Sequence, residues 1–251
     1  FSAKVQDEIG HGQLLYRAAE SLGVKTREEM LDDLANGDGK FLNCFHYEMT
    51  DWVETPMIAF FVDGAAMRRQ ATLRRTSWEP YAHAMDKVCF EEGFHVKHGE
   101  DILKELMTGS RKERRMTQEA FEEWWPRIIQ FFGPTDDKST HHDFAASVGL
   151  KQQSNDALRN AFLDQYIPKA RKYGLEIPDE PRIRERDDGT YAVEEGDLDW
   201  DEFFTIAKND YEPGLGQING RKRAQEAVQW VRDTIEGDAT AAGGHAPPAA
   251  D

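Results

Sequence analysis

Apolar residues along the first two-thirds of the chain recur at helical spacing. Across residues 3–22, Val5, Ile9, Leu14, Leu15, Ala18, Ala19 and Leu22 alternate with charged positions and predict an amphipathic helix. Gly23 closes it, and Thr26-Arg27-Glu28-Glu29 has capping-box spacing and opens a short second helix. Asn36-Gly37-Asp38-Gly39 reads as a turn. From about Thr50 a long apolar segment runs through Met57, Ile58, Phe60, Phe61, Val62, Ala65 and Met67. It breaks at Thr76-Ser77-Trp78-Glu79-Pro80, where Ser77 is the expected N-cap and Pro80 falls in the first turn of the next helix. That helix continues past His95 to about Met107. Another is expected from about Thr117, carrying Phe121, Trp124, Trp125, Ile128, Ile129 and Phe132, kinked at Pro126 and stopped by Gly133-Pro134.

Beyond Pro134 the pattern changes. Asp156–Tyr173 predicts one more helix, and the run from Arg182 to Val193 alternates around Asp187-Asp188-Gly189, a hairpin signal. Residues 199–208 and 220–236 are weaker helical segments, and the Ala-, Gly- and Pro-rich tail from Gly237 is expected to be disordered. The chain therefore reads as all-α. Residues 1–133 form a helical bundle, 134–236 a mostly helical extension with a short β-hairpin packed on it, and 237–251 a tail.

Composition narrows the chemistry. The 251 residues suffice for one sizeable core, and no run of 18 apolar residues exists to span a membrane. With 47 acidic against 31 basic residues the formal charge is −16, which disfavours nucleic acid and anionic membrane surfaces. An anionic substrate needs a local basic patch. Two cysteines, Cys44 and Cys89, exclude a disulfide framework and a four-cysteine iron–sulfur cluster; they fit a reducing cytoplasm and read as small buried hydrophobes. Any redox chemistry must draw its electrons from another protein. His83 and His98 read as helix-surface residues and His141-His142 as a solvated loop pair. Gly214–Gly220 has the wrong spacing for a nucleotide-binding loop.

Two Glu-x-x-His pairs stand out: Glu8-Ile9-Gly10-His11 and Glu92-Gly93-Phe94-His95. At i and i+3 on a helix a carboxylate and an imidazole lie on one face and can grip one metal ion. A facing helix with a second pair makes a two-metal site of the ferritin-like kind, completed by a carboxylate from each of two further helices. Gly10 and Gly93 are expected to leave room for close approach at the site. Asp51, Glu54 and Asp63 are candidates for the third carboxylate; Asp63 is chosen because it sits inside an apolar stretch, where a lone charge is costly unless paired or metal-bound. The fourth belongs on a helix preceding Lys4. Because the chain opens Phe1-Ser2-Ala3-Lys4 directly into a helix, the first bundle helix is expected to be missing through N-terminal truncation. Lys4, one turn before Glu8, is within reach of the carboxylates as a neutralising charge.

The strings Lys4–Gly12, Val62–Ala66, Arg75-Thr76-Ser77 with Pro80-Tyr81-Ala82, Glu91–His95, and Trp124-Trp125-Pro126 with Phe132-Gly133-Pro134 resemble the catalytic A subunit of ring-1,2-phenylacetyl-CoA epoxidase. Similarity continues to Asp199-Trp200 and Asn219-Gly220 and so covers nearly the whole chain. The resemblance implies a ferritin-like four-helix bundle with a di-iron centre ligated by Glu8, His11, Asp63, Glu92 and His95. It also implies O2 as co-substrate and phenylacetyl-CoA as the substrate epoxidised in aerobic phenylacetate catabolism. Three partners are expected: one non-catalytic ferritin-like subunit, one small bridging subunit, and one reductase with flavin and an iron–sulfur cluster that draws on NADPH.

Substrate contacts are expected from an aromatic slot (Phe45, Tyr47, Met49, Trp52), from Lys4, and from cations that meet CoA phosphates. The cation candidates are Arg68, Arg69, Arg74 and Arg75, with Arg221, Lys222 and Arg223. An epoxidase of another aryl-CoA fits the same motifs. A non-catalytic ferritin-like scaffold subunit is expected to have lost ligands, whereas both Glu-x-x-His pairs are intact. A di-iron electron-transfer or peroxide-scavenging protein is expected to bring rubredoxin-like cysteines or to be a minimal bundle, and this chain has neither property.

Overall fold

The computed structural model describes residues 2–39, 42–139, 142–193 and 198–207, and those of 220–234 other than 221, 225 and 232. The Gly214–Asn219 stretch, Arg221 and the tail from Gly237 lie outside the described residues.

The chain forms a ferritin-like helical bundle. Helix α1 spans Ser2–Glu20 and α2 Arg27–Asn36, the latter opened by the predicted capping box of Thr26 and Glu29 and closed by Gly37 in the left-handed region. Short 3-10 turns at Asn43–His46 and Trp52–Glu54 lead into a π-helical segment, Met57–Val62, continuous with α3, Asp63–Leu73. Helix α4 spans Glu79–Thr108 and α5 Arg111–Gln130. Then come α6 (His142–Ser147), α7 (Asn155–Lys172), the antiparallel hairpin β1–β2 (Ile183–Glu185, Tyr191–Val193) and α8 (Trp200–Ala207). Among the described residues, no helix is long and apolar enough to cross a membrane.

The core sits where the π segment meets α5 and α7. Phe60, Phe61, Phe121, Trp124, Trp125 and Phe162 are fully buried there. Burying each such ring contributes roughly 1.5–3 kcal/mol, which holds the π segment on the bundle axis. Helix α4 approaches that segment backbone to backbone at Gly99, where a Cβ would stand 2.3 Å from the Ala59 carbonyl carbon. Close packing here brings α4 alongside the start of α3.

Several local expectations are corrected. Ser77 is not the N-cap of α4. Its backbone N–H donates to the Gly149 carbonyl and its hydroxyl to the Val148 carbonyl, so it ties α4's entry to the loop after α6; Trp78 takes the cap position without a side-chain bond. Helix α5 begins six residues earlier than Thr117, at Arg111. Its first turn is charged and carries no apolar stripe, but Ser110 and Glu113 form a capping box. The helix runs on through Pro126 to Gln130. His142 opens α6, half-buried beside Lys151 and Asp136, instead of lying in a solvated loop. Gly10 and Gly93 face open space: a Cβ on either would meet nothing within 4 Å. The glycines that permit close approach are Gly99 and Gly64, the latter covered by the Tyr166 hydroxyl.

Candidate metal centre

Helices α1 and α4 lie side by side and α3 packs on α4, so three consecutive expectations from the sequence meet at one place. Glu8 and His11 come from α1, Asp63 from the first turn of α3, and Glu92 and His95 from α4. His11, Asp63, Glu92 and His95 are buried, while Glu8 is half-exposed. Their donor atoms fall into two triads, Glu8–His11–Glu92 and Asp63–Glu92–His95, and within each triad the atoms lie within 4.8 Å of one another. Glu92 belongs to both. One carboxylate shared between two ligand sets is the arrangement two adjacent cations require.

The imidazoles are oriented by neighbours that sequence reasoning missed. His11 Nε2 lies 2.9 Å from Glu91 Oε2 and His95 Nε2 lies 3.1 Å from Asp7 Oδ2. Each Nε2 pairs with a carboxylate behind it, and each Nδ1 faces the cluster. The support is reciprocal: Asp7 on α1 holds the histidine of α4, and Glu91 on α4 holds the histidine of α1. A signal was present, because an acid immediately precedes the glutamate in both motifs (Asp7-Glu8 and Glu91-Glu92). It was unreadable as a cross-helix contact until the helices were packed.

The cluster is short of positive charge. His11 Nδ1 is buried without a hydrogen-bond partner, 3.6 Å from Glu92 Oε1 and 3.7 Å from Glu8 Oε2. His95 Nδ1 lies 3.3 Å from both Glu8 and Glu92. Burial, with Asp63 and Glu8 close by, pushes the Glu92 carboxyl up to about 8. Burial also raises Asp63, although the Lys4 ammonium, which donates to Asp63 Oδ2, works against that rise. Two imidazole Nδ1 atoms turned toward three carboxylates suit divalent cations of the iron class. The residues present fit a two-metal centre.

Asp63 reaches the cluster because of the π segment. Its backbone N–H bonds to both the Ile58 and Phe60 carbonyls, where one wider turn gives way to α3. Glu54, a rival candidate, is taken up elsewhere: it accepts from the Thr50 and Asp51 backbone N–H groups, the Thr50 hydroxyl and Trp124 Nε1. Asp51 caps the 3-10 turn that contains it.

The residues named for substrate are scattered. Lys4 joins the cluster through Asp63. Tyr47 is a core residue, its ring under the Arg127 guanidinium and its hydroxyl donating to Glu202. Phe45, Met49 and Trp52 are exposed, so the four residues do not form one slot. Arg68 bonds Gln165 and Arg74 pairs with Asp86. Arg69 lines a cavity. A cleft of about 530 Å³ runs beside α3, walled by Leu42, Ala66, Leu73 and Phe131, with Arg69 and Lys151 as cations and Trp78 stacked on Tyr81. A second cleft of about 290 Å³ continues from it past Arg69 and Lys151. Gln70 lines the larger cleft and stands near enough to Glu92 to work against the upward shift of its carboxyl, which places the cleft beside the cluster.

The sequence is similar to known proteins. A family model described as "Phenylacetic acid catabolic protein" matches residues 1–230. The chain is 36% identical over 232 residues to the A subunit of 1,2-phenylacetyl-CoA epoxidase from Escherichia coli (strain K12), a match covering 92% of this chain and 74% of that protein. The chain belongs to the phenylacetic acid catabolic protein family.

Proposed function

We propose that this chain is the catalytic subunit of a multicomponent monooxygenase that epoxidises the aromatic ring of phenylacetyl-CoA at a di-iron centre. The observation that carries this is the sharing of Glu92 between two ligand triads whose histidines are held from behind by Asp7 and Glu91. In this reading Glu8, His11, Asp63, Glu92 and His95 would hold the irons. Iron so bound supplies the activation of O2. The chain's own residues do the rest. Asp7 and Glu91 keep the imidazole lone pairs aimed inward, and Lys4 offsets the charge on Asp63. The apolar cleft beside Gln70 excludes water from an aryl group, while Arg69 and Lys151 meet anionic groups of the CoA portion.

The relative's designation as a subunit supports assembly with further chains. The two cysteines leave reduction to a partner: a reductase carrying flavin and an iron–sulfur cluster and drawing on NADPH. Reconstitution with Fe(II), the partner proteins, NADPH, phenylacetyl-CoA and labelled O2 should yield a ring-1,2-epoxide carrying one labelled oxygen atom. Absence of that product, with iron bound and NADPH consumed, refutes the reading. Benzoyl-CoA in the same assay tests the related reading of another aryl-CoA substrate.

A further inference from the structure

Tyr166 on α7 and Tyr173 at its C-terminal cap are two helical turns apart, so both lie on one face of the helix. Phe60 of the π segment stands between them, its ring centroid 5.1 Å from that of Tyr166 and 6.3 Å from that of Tyr173. The two ends of this row of rings differ. At the inner end the Tyr166 hydroxyl fills the space over Gly64, the residue after Asp63, and leaves no room there for a Cβ. At the outer end Tyr173 is half-buried, and its hydroxyl donates to the Glu100 carboxylate. The Lys104 and Lys172 ammonium groups lie 5.3 and 5.9 Å from the Tyr173 ring centroid. Positive charge so placed disfavours a ring that has lost an electron and kept its proton. Departure of an electron from Tyr173 is therefore tied to transfer of its proton, and Glu100 is the acceptor already in place.

Resting on the oxygenase reading above, we infer that Tyr173, connected through Phe60 and Tyr166, is an electron donor that protects the metal centre when oxidising power forms there with no substrate to consume it. One electron passes from Tyr173 along the row to a one-electron oxidant of the peroxide class at the ligand cluster. The Tyr173 O–H bond breaks, its proton forms an O–H bond on Glu100, and Tyr173 is left as a neutral phenoxyl radical. Glu100 then releases the proton to water. A thiol or ascorbate-like reductant in solution returns a hydrogen atom to the half-buried Tyr173 oxygen. Groups that would otherwise be oxidised lie close by: the charge of Asp63 acts on the Cys44 thiol and that of Glu92 on the Cys89 thiol. Both sulfurs are open to irreversible oxidation once attacked.

The test mixes the iron-loaded chain with hydrogen peroxide in the absence of substrate, freezes the mixture rapidly and reads its electron paramagnetic resonance. Wild type should give a tyrosyl signal that narrows when the chain is made with ring-deuterated tyrosine. Tyr173→Phe should lose that signal, and mass spectrometry should find more sulfur oxidation at Cys44 and Cys89. Glu100→Gln keeps an acceptor oxygen that cannot take up the proton, and it should give less radical than wild type at the same peroxide. A signal as strong in Tyr173→Phe as in wild type overturns the inference, as does an unchanged yield in Glu100→Gln or unchanged sulfur oxidation in Tyr173→Phe. If either variant does not fold or loses iron, the other decides. Iron bound without a tyrosyl signal in wild type overturns this inference and leaves the proposed function standing. A wild-type chain that binds no iron overturns both.

Discussion

Two buried glutamates, Glu54 and Glu92, lie in adjacent regions of the bundle and could hardly be treated more differently. Glu54 is 6% exposed and Glu92 4%, so burial does not separate them. Glu54 meets four donors at 2.9–3.0 Å, from Thr50, Asp51 and Trp124, and its charge is spread over hydrogen bonds. Glu92 meets two imidazole Nδ1 atoms and two further carboxylates, and its carboxyl is pushed up to about 8. A structural acid is surrounded by donors. A candidate ligand acid is surrounded by other candidate ligands, and either a proton or a cation removes the conflict.

The strongest way to break this comparison is to remove each acid in turn. Glu92→Ala or His95→Ala should cut iron from about two per chain, the number of ligand triads, to one or none by metal analysis, while circular dichroism keeps the helical signature. Unchanged iron would sink the assignment. Glu54→Ala should do the reverse. It orphans Trp124 Nε1 and two backbone donors and should cost roughly 3–5 kcal/mol in denaturant unfolding, with iron per folded chain unchanged.

Acidity sharpens the contrast. An acid whose folded pKa is raised is protonated in the fold while the unfolded chain has already lost its proton. For Glu92 that window runs from its ordinary value of 4.5 to about 8. Stability of the metal-free protein should therefore fall, by an amount on the order of a few kcal/mol, as pH rises through that window. It should be fully present below the window. Metal needs the ionised carboxylate, so iron binding should release protons and weaken as pH falls from 8 to 6. A metal-free melting temperature that rises between pH 6 and 8 would contradict the environment described for Glu92. The smallest expected effect concerns the residues behind the histidines. Asp7→Asn and Glu91→Gln should each weaken metal binding about 10–100-fold while leaving the ligand count intact. An effect from one and none from the other would show that the support is not reciprocal.

Much of the fold was legible. The apolar stripe of α1, the capping box at Thr26, the 30-residue α4 and the Asp-Asp-Gly hairpin all follow from local periodicity and turn chemistry. Where local signals were weak or outbid, the expectations missed. The charged first turn of α5 hid its start, and Ser77 was drawn off by the loop at Val148–Gly149. The wider π turn at Met57–Val62 left no mark in a uniformly apolar run, though it helps decide where Asp63 points. The aromatic slot failed for a similar reason: neighbours in sequence at 45–52 sit on 3-10 turns that send Tyr47 inward and its companions out.

The sequence by itself determined that two carboxylate–imidazole pairs would each share a helix face, because a 3.6-residue repeat stacks positions i and i+3 whatever the tertiary context. It also determined that these 251 residues cannot supply a four-cysteine iron–sulfur cluster, since they include two cysteines. Only the tertiary structure decided that Glu92 serves both triads, that Asp7 and Glu91 cross over to the opposite histidine, and that Arg69 and Lys151 line one cleft. These contacts join helices that lie far apart in the chain. They depend on how closely α4 approaches the π segment at Gly99, a distance set by packing and invisible in the periodicity of either element.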